Sequence, residues 1–171
     1  MAETTQVTPP DREQVASFID AARRSGVSKE IEADAETRWI GLDEETTEQI
    51  IELIRSGDKT GTFSLPWIIE RTGQRTPAVG QHIVLVDTAG LPRLLVRLTV
   101  VREAVFGEVD ATHTAVDGTP VRDPAVWKPL HEQYWGPMLA AHGLRVSDDM
   151  PFLIEEFEVV YDANHPNTPA A

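Results

Sequence analysis

Two apolar runs, residues 81–87 and 94–103, stand either side of the pentapeptide Thr88-Ala89-Gly90-Leu91-Pro92, and no other feature narrows the choice of fold as much. Strand-forming residues flanking a Gly/Pro-containing turn predict a β-hairpin. A third run, residues 151–161, predicts a long last strand. Helix patterns surround these strands. In residues 11–25, Val15, Phe18, Ile19 and Ala22 share one face and Gly26 stops the helix. That face is expected to cover the open side of a sheet. Residues 43–56 carry Asp43 as a candidate N-cap, acidic residues in the first turn, Ile50, Ile51, Leu53 and Ile54, and Gly57 just past the end. Residues 66–71 are expected to make one helical turn, and residues 123–143 a helix that Pro129 and Pro137 kink or divide. The acidic stretch 30–36 reads as a solvated loop or weak helix. This order of elements predicts an α+β fold in which helices flank a sheet that curls into a β-barrel.

The 171 residues suit a single domain, and 41% hydrophobic content supports a core. The absence of cysteine excludes disulfides, thiolate catalysis and sulfur-ligated metal centres, so packing has to supply the stability. Five scattered histidines form no helical metal-binding pair, and no dinucleotide or phosphate-cradling glycine motif occurs. No metal and no cofactor are therefore expected. No apolar run approaches about 18 residues, and the N-terminus lacks a basic-then-apolar leader, so a soluble cytoplasmic protein that stays off membranes is expected. Residues 1–10 and 162–171 read as disordered tails. A formal net charge of −13 opposes long-footprint binding to nucleic acid, because that affinity comes largely from cations displacing phosphate counterions. Long duplexes are excluded as partners on this ground. A local cleft still admits a nucleoside or a short single strand, since charges more than about 10 Å apart are heavily screened near physiological salt. The sequence leaves the oligomeric state open.

The segment of residues 57–64 concentrates the chemistry. It places Lys59, Thr60, Thr62 and Ser64 on a short extended stretch directly after the helix of residues 43–56. In an extended strand alternate side chains share a face, so Thr60, Thr62 and Ser64 point one way, and Lys59 and Phe63 the other unless the turn rotates Lys59 round. A lysine at a strand entrance binds phosphate, or serves as a base when desolvated. Thr62 is a candidate nucleophile if a neighbouring amine takes its proton. Parity along the last strand puts Glu155 beside Leu153, Phe157 and Val159, and an inward carboxylate needs a partner, for which Lys59 or a nearby hydroxyl is the candidate. Trp67, Trp127, Tyr134 and Trp135 offer stacking surfaces, with Trp67 the one expected to line a pocket, and Arg71, Arg75 and Lys128 add local positive charge. Glu108, Asp110, His113 and Asp117 cluster in sequence, as a solvated acidic loop or a weak hard-cation site.

The run Gly57-x-Lys59-Thr60-x-Thr62-x-Ser64 resembles the signature of the ASCH domain, a PUA-like family associated with RNA-directed work. Val79-Gly80-x-x-Ile83-Val84-Leu85, Phe106-x-x-Val109-Asp110, the Trp127 helix with Tyr134-Trp135, and Asp149-Met150-Pro151 leading to Glu155-x-Phe157-x-Val159-Val160-Tyr161 are similar to that family in the same order. The larger bacterial members carry an N-terminal helical extension, which residues 11–42 resemble. The resemblance implies an ASCH domain over residues 43–161 with a PUA-like β-barrel and the extension packed on it. It also implies that RNA or a nucleotide-like ligand binds in a cleft beside Lys59, oriented by Thr60, Thr62 and Ser64, with ribonuclease-type hydrolysis of single-stranded RNA. Some small members are amidohydrolases acting on N4-acetylcytidine through a Lys-x-x-Thr pair and a downstream acid. Lys59 and Thr62 fit the pair. His113-x-x-x-Asp117 resembles the acid's surroundings, with aspartate where those enzymes have glutamate. A non-catalytic module reading a modified base or an RNA end is the third expectation.

Overall fold

The computed structural model describes residues 7–26, 30–41 and 43–164. Most of the two expected tails, residues 1–6 and 165–171, lies outside that range. The elements are α1 (Arg12–Arg24), β1 (Glu36–Trp39), α2 (Glu44–Arg55), β2 (Gly61–Ser64), α3 (Pro66–Thr72), β3 (His82–Val86), β4 (Pro92–Val105), α4 (Ala111–Thr114), α5 (Pro124–Ala140) and β5 (Pro151–Asp162), with a 3-10 turn at Phe106–Glu108. The five strands form one sheet in the order β1-β3-β4-β5-β2. The predicted hairpin is the antiparallel β3/β4 pair, and β3 is buried along its whole length.

The helix starts follow their capping residues. Asp11 accepts the backbone N–H groups of Glu13 and Gln14, and Asp43 forms a capping box with Thr46. The α5 helix is not divided at Pro129 or Pro137, both of which lie inside it. The carbonyls those prolines leave without a donor belong to Ala125 and Gln133, both exposed residues, so water can satisfy them. The acidic stretch is the expected loop through Ala35, and its last residue, Glu36, opens a strand. Glu36–Trp39 lies parallel to Ile83–Val86, and the Glu36 carboxylate accepts from Arg38 at 2.7 Å and from Gln81 at 2.9 Å.

The chain divides into two compact units. The first holds residues up to Gly57, Gly80–Leu98 and the segment from Phe157 onward. Its core joins Phe18, Ile19 and Ala22 of α1 to Val84, Val86, Leu95, Val160 and Tyr161, with the Phe18 ring edge-on to Tyr161 at 5.1 Å. The α1 face read from the sequence is thus the one that packs on strands. In this unit the end of the expected N-terminal tail is tied down. Thr8 and Asp11 donate their N–H groups to the carbonyls of Thr88 and Gly90, both at 3.0 Å. Gly90 sits at φ 78° against the Pro9 carbonyl, where a Cβ would collide.

The second unit holds Asp58–Val79 and Thr99–Glu156. Its core gathers Leu65, Ile68, Phe106, Val116, Trp127, Trp135, Leu139, Met150, Phe152 and Ile154. No described helix is long and apolar enough to cross a membrane.

Candidate functional site

The second unit carries the residues that the sequence singles out around Lys59. Gly61–Ser64 pairs antiparallel with Leu153–Glu156, so Thr62 stands opposite Glu155, and Phe63 opposite Ile154. Phe63 turns toward the core, edge-on to Trp127 at 4.9 Å. Side chains alternate along a strand, which sends Thr62 and Ser64 to the other face, the face of Glu155 and Leu153. Glu155 is fully buried there.

Lys59 precedes β2 and lies with Phe63, its Nζ 5.9 Å from the ring centroid. The ammonium donates to Asp117 Oδ1 at 2.8 Å, and both side chains are only about a tenth exposed. A second segment, residues 114–122, is laced onto this turn. The Val116 carbonyl accepts from the N–H groups of Thr60 and Gly61, at 2.8 and 3.1 Å. Asp117 Oδ1 also accepts from the Gly118 N–H at 2.8 Å. Asp58 accepts from the Thr119 N–H at 2.8 Å and from Arg122 Nη2 at 2.8 Å, while Arg122 Nε donates to the Asp117 carbonyl at 3.0 Å. The Thr119 amide and then Arg122 hold the Asp58 carboxyl below its ordinary range. Gly61 makes the close approach feasible, because a Cβ there would fall 2.6 Å from the Glu155 carbonyl and 2.9 Å from Val116.

His131 completes the group. Its ring stacks on Trp127 at 4.1 Å and meets Phe63 edge-on at 5.4 Å, so it and Lys59 share the Phe63 ring. Its Nδ1 is 2.9 Å from the Trp127 carbonyl, which can only accept; Nδ1 therefore carries the hydrogen, and Nε2 keeps its lone pair. Burial, with the Lys59 charge adding to it and Asp117 opposing, lowers the imidazole pKa to about 4. At neutral pH the ring is uncharged beside a buried ion pair.

A family model described as the ASCH domain matches residues 37–161. This chain belongs to the ASCH domain family. The matched ASCH region begins inside β1. In structure the protein is similar to an ASCH domain from Lactobacillus crispatus JV V101, with 23% identity and a TM-score of 0.77 over 86% of this chain and 94% of that one. A protein from Enterococcus faecalis V583 is similar at 21% identity and a TM-score of 0.75, over 86% and 88%. No curated protein matches the sequence. The α+β, PUA-like fold with flanking helices is thereby the fold of this chain, and ASCH domains sit in a superfamily of RNA-binding modules.

Within this ASCH domain the predicted residues separate into groups. Lys59 and Asp117 meet, and aspartate in place of glutamate still reaches the ammonium. Thr62 and Ser64 are on the opposite face of β2, with Ser64 Oγ buried and lacking a hydrogen-bond partner among the described residues. Thr60 is exposed and contributes its backbone N–H. Trp67 lines a cleft of about 600 Å³, but with Gly143, Leu144, Arg145, Ser147 and Asp149 instead of the Lys59 segment. Arg71 is exposed and donates to the Trp67 carbonyl at 3.1 Å; Arg75 is exposed. Trp127 and Trp135 are core residues, while Tyr134 is exposed. His113 closes the α4 cap, its Nδ1 accepting the Asp110 N–H at 3.0 Å. No group of three or more acidic or histidine side chains among the described residues is arranged to hold a metal. His131, Arg122 and Asp58 went unread. The one local signal for His131 is its place one turn after Trp127, which puts both on the same side of α5.

Proposed function

We propose that this ASCH domain binds RNA or a nucleotide-like ligand beside Lys59 and hydrolyses it. The observation that carries this reading is the 2.8 Å contact between Lys59 Nζ and Asp117 Oδ1, both nearly buried, which fixes a cation and a proton acceptor at one point. On single-stranded RNA the 2′-hydroxyl attacks its neighbouring phosphorus and gives its proton to Asp117. The ammonium of Lys59 faces the charge that grows on the phosphate oxygens, and the bond to the 5′-oxygen breaks as that oxygen takes a proton from water and leaves as the alcohol. Water then opens the 2′,3′-cyclic phosphate. Because Asp117 neutralises Lys59, the site attracts a polyanion weakly, and the net charge of −13 adds to this. Both favour a ligand of one or a few nucleotides.

The same pair favours one further reading, amide hydrolysis of an acylated pyrimidine nucleoside. Alternation along β2 separates Thr62 from the Phe63 face that Lys59 occupies, so in this reading water, rather than Thr62, attacks the amide carbon. Asp117 takes the water's proton and returns it to the amide nitrogen as the C–N bond breaks, so cytidine leaves with its amine and the acyl group leaves as a carboxylate. Incubation with single-stranded RNA and, separately, with N4-acetylcytidine, with products resolved by mass, distinguishes the readings. RNA fragments support the first and free cytidine the second. Saturable binding with no product from either leaves a recognition module and removes hydrolysis from the account.

A further inference from the structure

The cleft lined by Trp67 contains none of the residues that build the Lys59 site. Trp67 and Leu144 pack on the core of the second unit, so the indole is anchored while it lines the opening. Arg145 is exposed, and its guanidinium makes no ion pair or hydrogen bond among the described residues. Arg55, Arg93, Arg97 and Arg122, by contrast, each hold a carboxylate. Across the lining, Asp149 Oδ1 accepts the Ser147 hydroxyl at 2.6 Å. The volume, about 600 Å³, falls in the usual small-ligand range of about 300–1,000 Å³.

We propose that this cleft is a second ligand site, separate from Lys59, that takes a planar aromatic ring bearing an anionic group, the chemistry of a nucleoside monophosphate. The ring stacks on Trp67. The phosphate takes the guanidinium fork of Arg145, which matches it in geometry and holds no carboxylate among the described residues. Asp149 sets the polarity of the site: it repels the phosphate and accepts from sugar hydroxyls, so the ligand lies with its hydroxyls toward Asp149 and its charge toward Arg145.

The probe is adenosine 5′-monophosphate, titrated into the full 15N-labelled chain while the Trp67 indole signal is followed. The parent is expected to show a saturable shift of that signal. Arg145→Gln, at an exposed position that leaves the fold alone, is expected to weaken binding by about tenfold or more, the scale of one charge-assisted contact. Adenosine without phosphate should bind the parent and Arg145→Gln alike, and any monophosphate shift at the Thr60 and Gly61 amides, next to Lys59, should persist in Arg145→Gln while the shift of the Trp67 indole weakens. Equal affinity in Arg145→Gln and parent, or no shift of the Trp67 indole at millimolar monophosphate, overturns the proposal. A Trp67 shift that follows the Thr60 and Gly61 amides with one shared affinity also overturns it, because the ligand would then occupy the Lys59 site, and that result would leave the reading of Lys59 standing.

Discussion

Lys59 and Asp117 each make the other tolerable in a setting that disfavours a lone charge. Removing one partner of such a pair costs about 3–5 kcal/mol, whereas replacing both with apolar groups is often neutral. Urea unfolding of Lys59→Met and of Asp117→Asn is therefore expected to show losses on that scale, and Lys59→Met/Asp117→Leu to regain most of the stability. Strict additivity of the two single losses would mean that the pair is uncoupled. His131 gives a second prediction. The unfolded imidazole takes its proton near its ordinary pKa of 6.5, and the folded one at about 4. Between those values the unfolded chain binds more protons, so stability is full above about pH 6.5 and falls as the pH drops to about 4. At 1.36 kcal/mol per pKa unit the loss is roughly 3 kcal/mol, and His131→Phe should abolish it. An unchanged pH profile in that variant would place the effect elsewhere. The Lys59 segment was legible because lysine and hydroxyls crowd one short stretch, and Asp117 through the resemblance of its surroundings. His131 was hidden because a histidine one turn from a tryptophan is ordinary in any helix; only the fold brings it to Phe63.

Among the elements, β2 depends most on a single residue. Gly61 passes the Glu155 carbonyl and Val116 too closely for any side chain, and overpacking of this kind costs about 1–3 kcal/mol. Gly61→Ala is expected to lower the thermal midpoint and to speed hydrogen exchange at Phe63, whose strand pairs with β5. Unchanged exchange there would show that the 114–122 segment yields instead. The β3/β4 hairpin and β5 were legible from apolar runs and their turn. β1 was not, since Glu-Thr-Arg-Trp lacks apolar alternation and becomes a strand only by lying against the buried β3. That α5 is not divided at its prolines has a related reason. Whether a proline breaks a helix depends on what happens to the carbonyl one turn back, and exposure of Ala125 and Gln133 is a tertiary fact.

At the scale of the whole chain, the net charge of −13 sets how nucleic acid can be met. A ligand held at one ion-paired lysine engages about one phosphate, so the logarithm of single-strand affinity should fall against log salt with a slope of about −0.7, near the single-strand value per contact. A slope several times steeper would reveal a basic track that the structure does not suggest. Composition made this legible from the start, as the order of strands and helices did for the fold. The resemblance put Lys59 and Asp117 in one site, but their direct ion pair was not legible, because they lie 58 positions apart and meet only when the 114–122 segment folds over the turn before β2. The account rests on that pair. The most direct measurement is product formation from single-stranded RNA and from N4-acetylcytidine by the parent and by Lys59→Met/Asp117→Leu, the variant expected to keep the fold. The account predicts product from one substrate with the parent and none with the variant; product at the parental rate from the folded variant would contradict it.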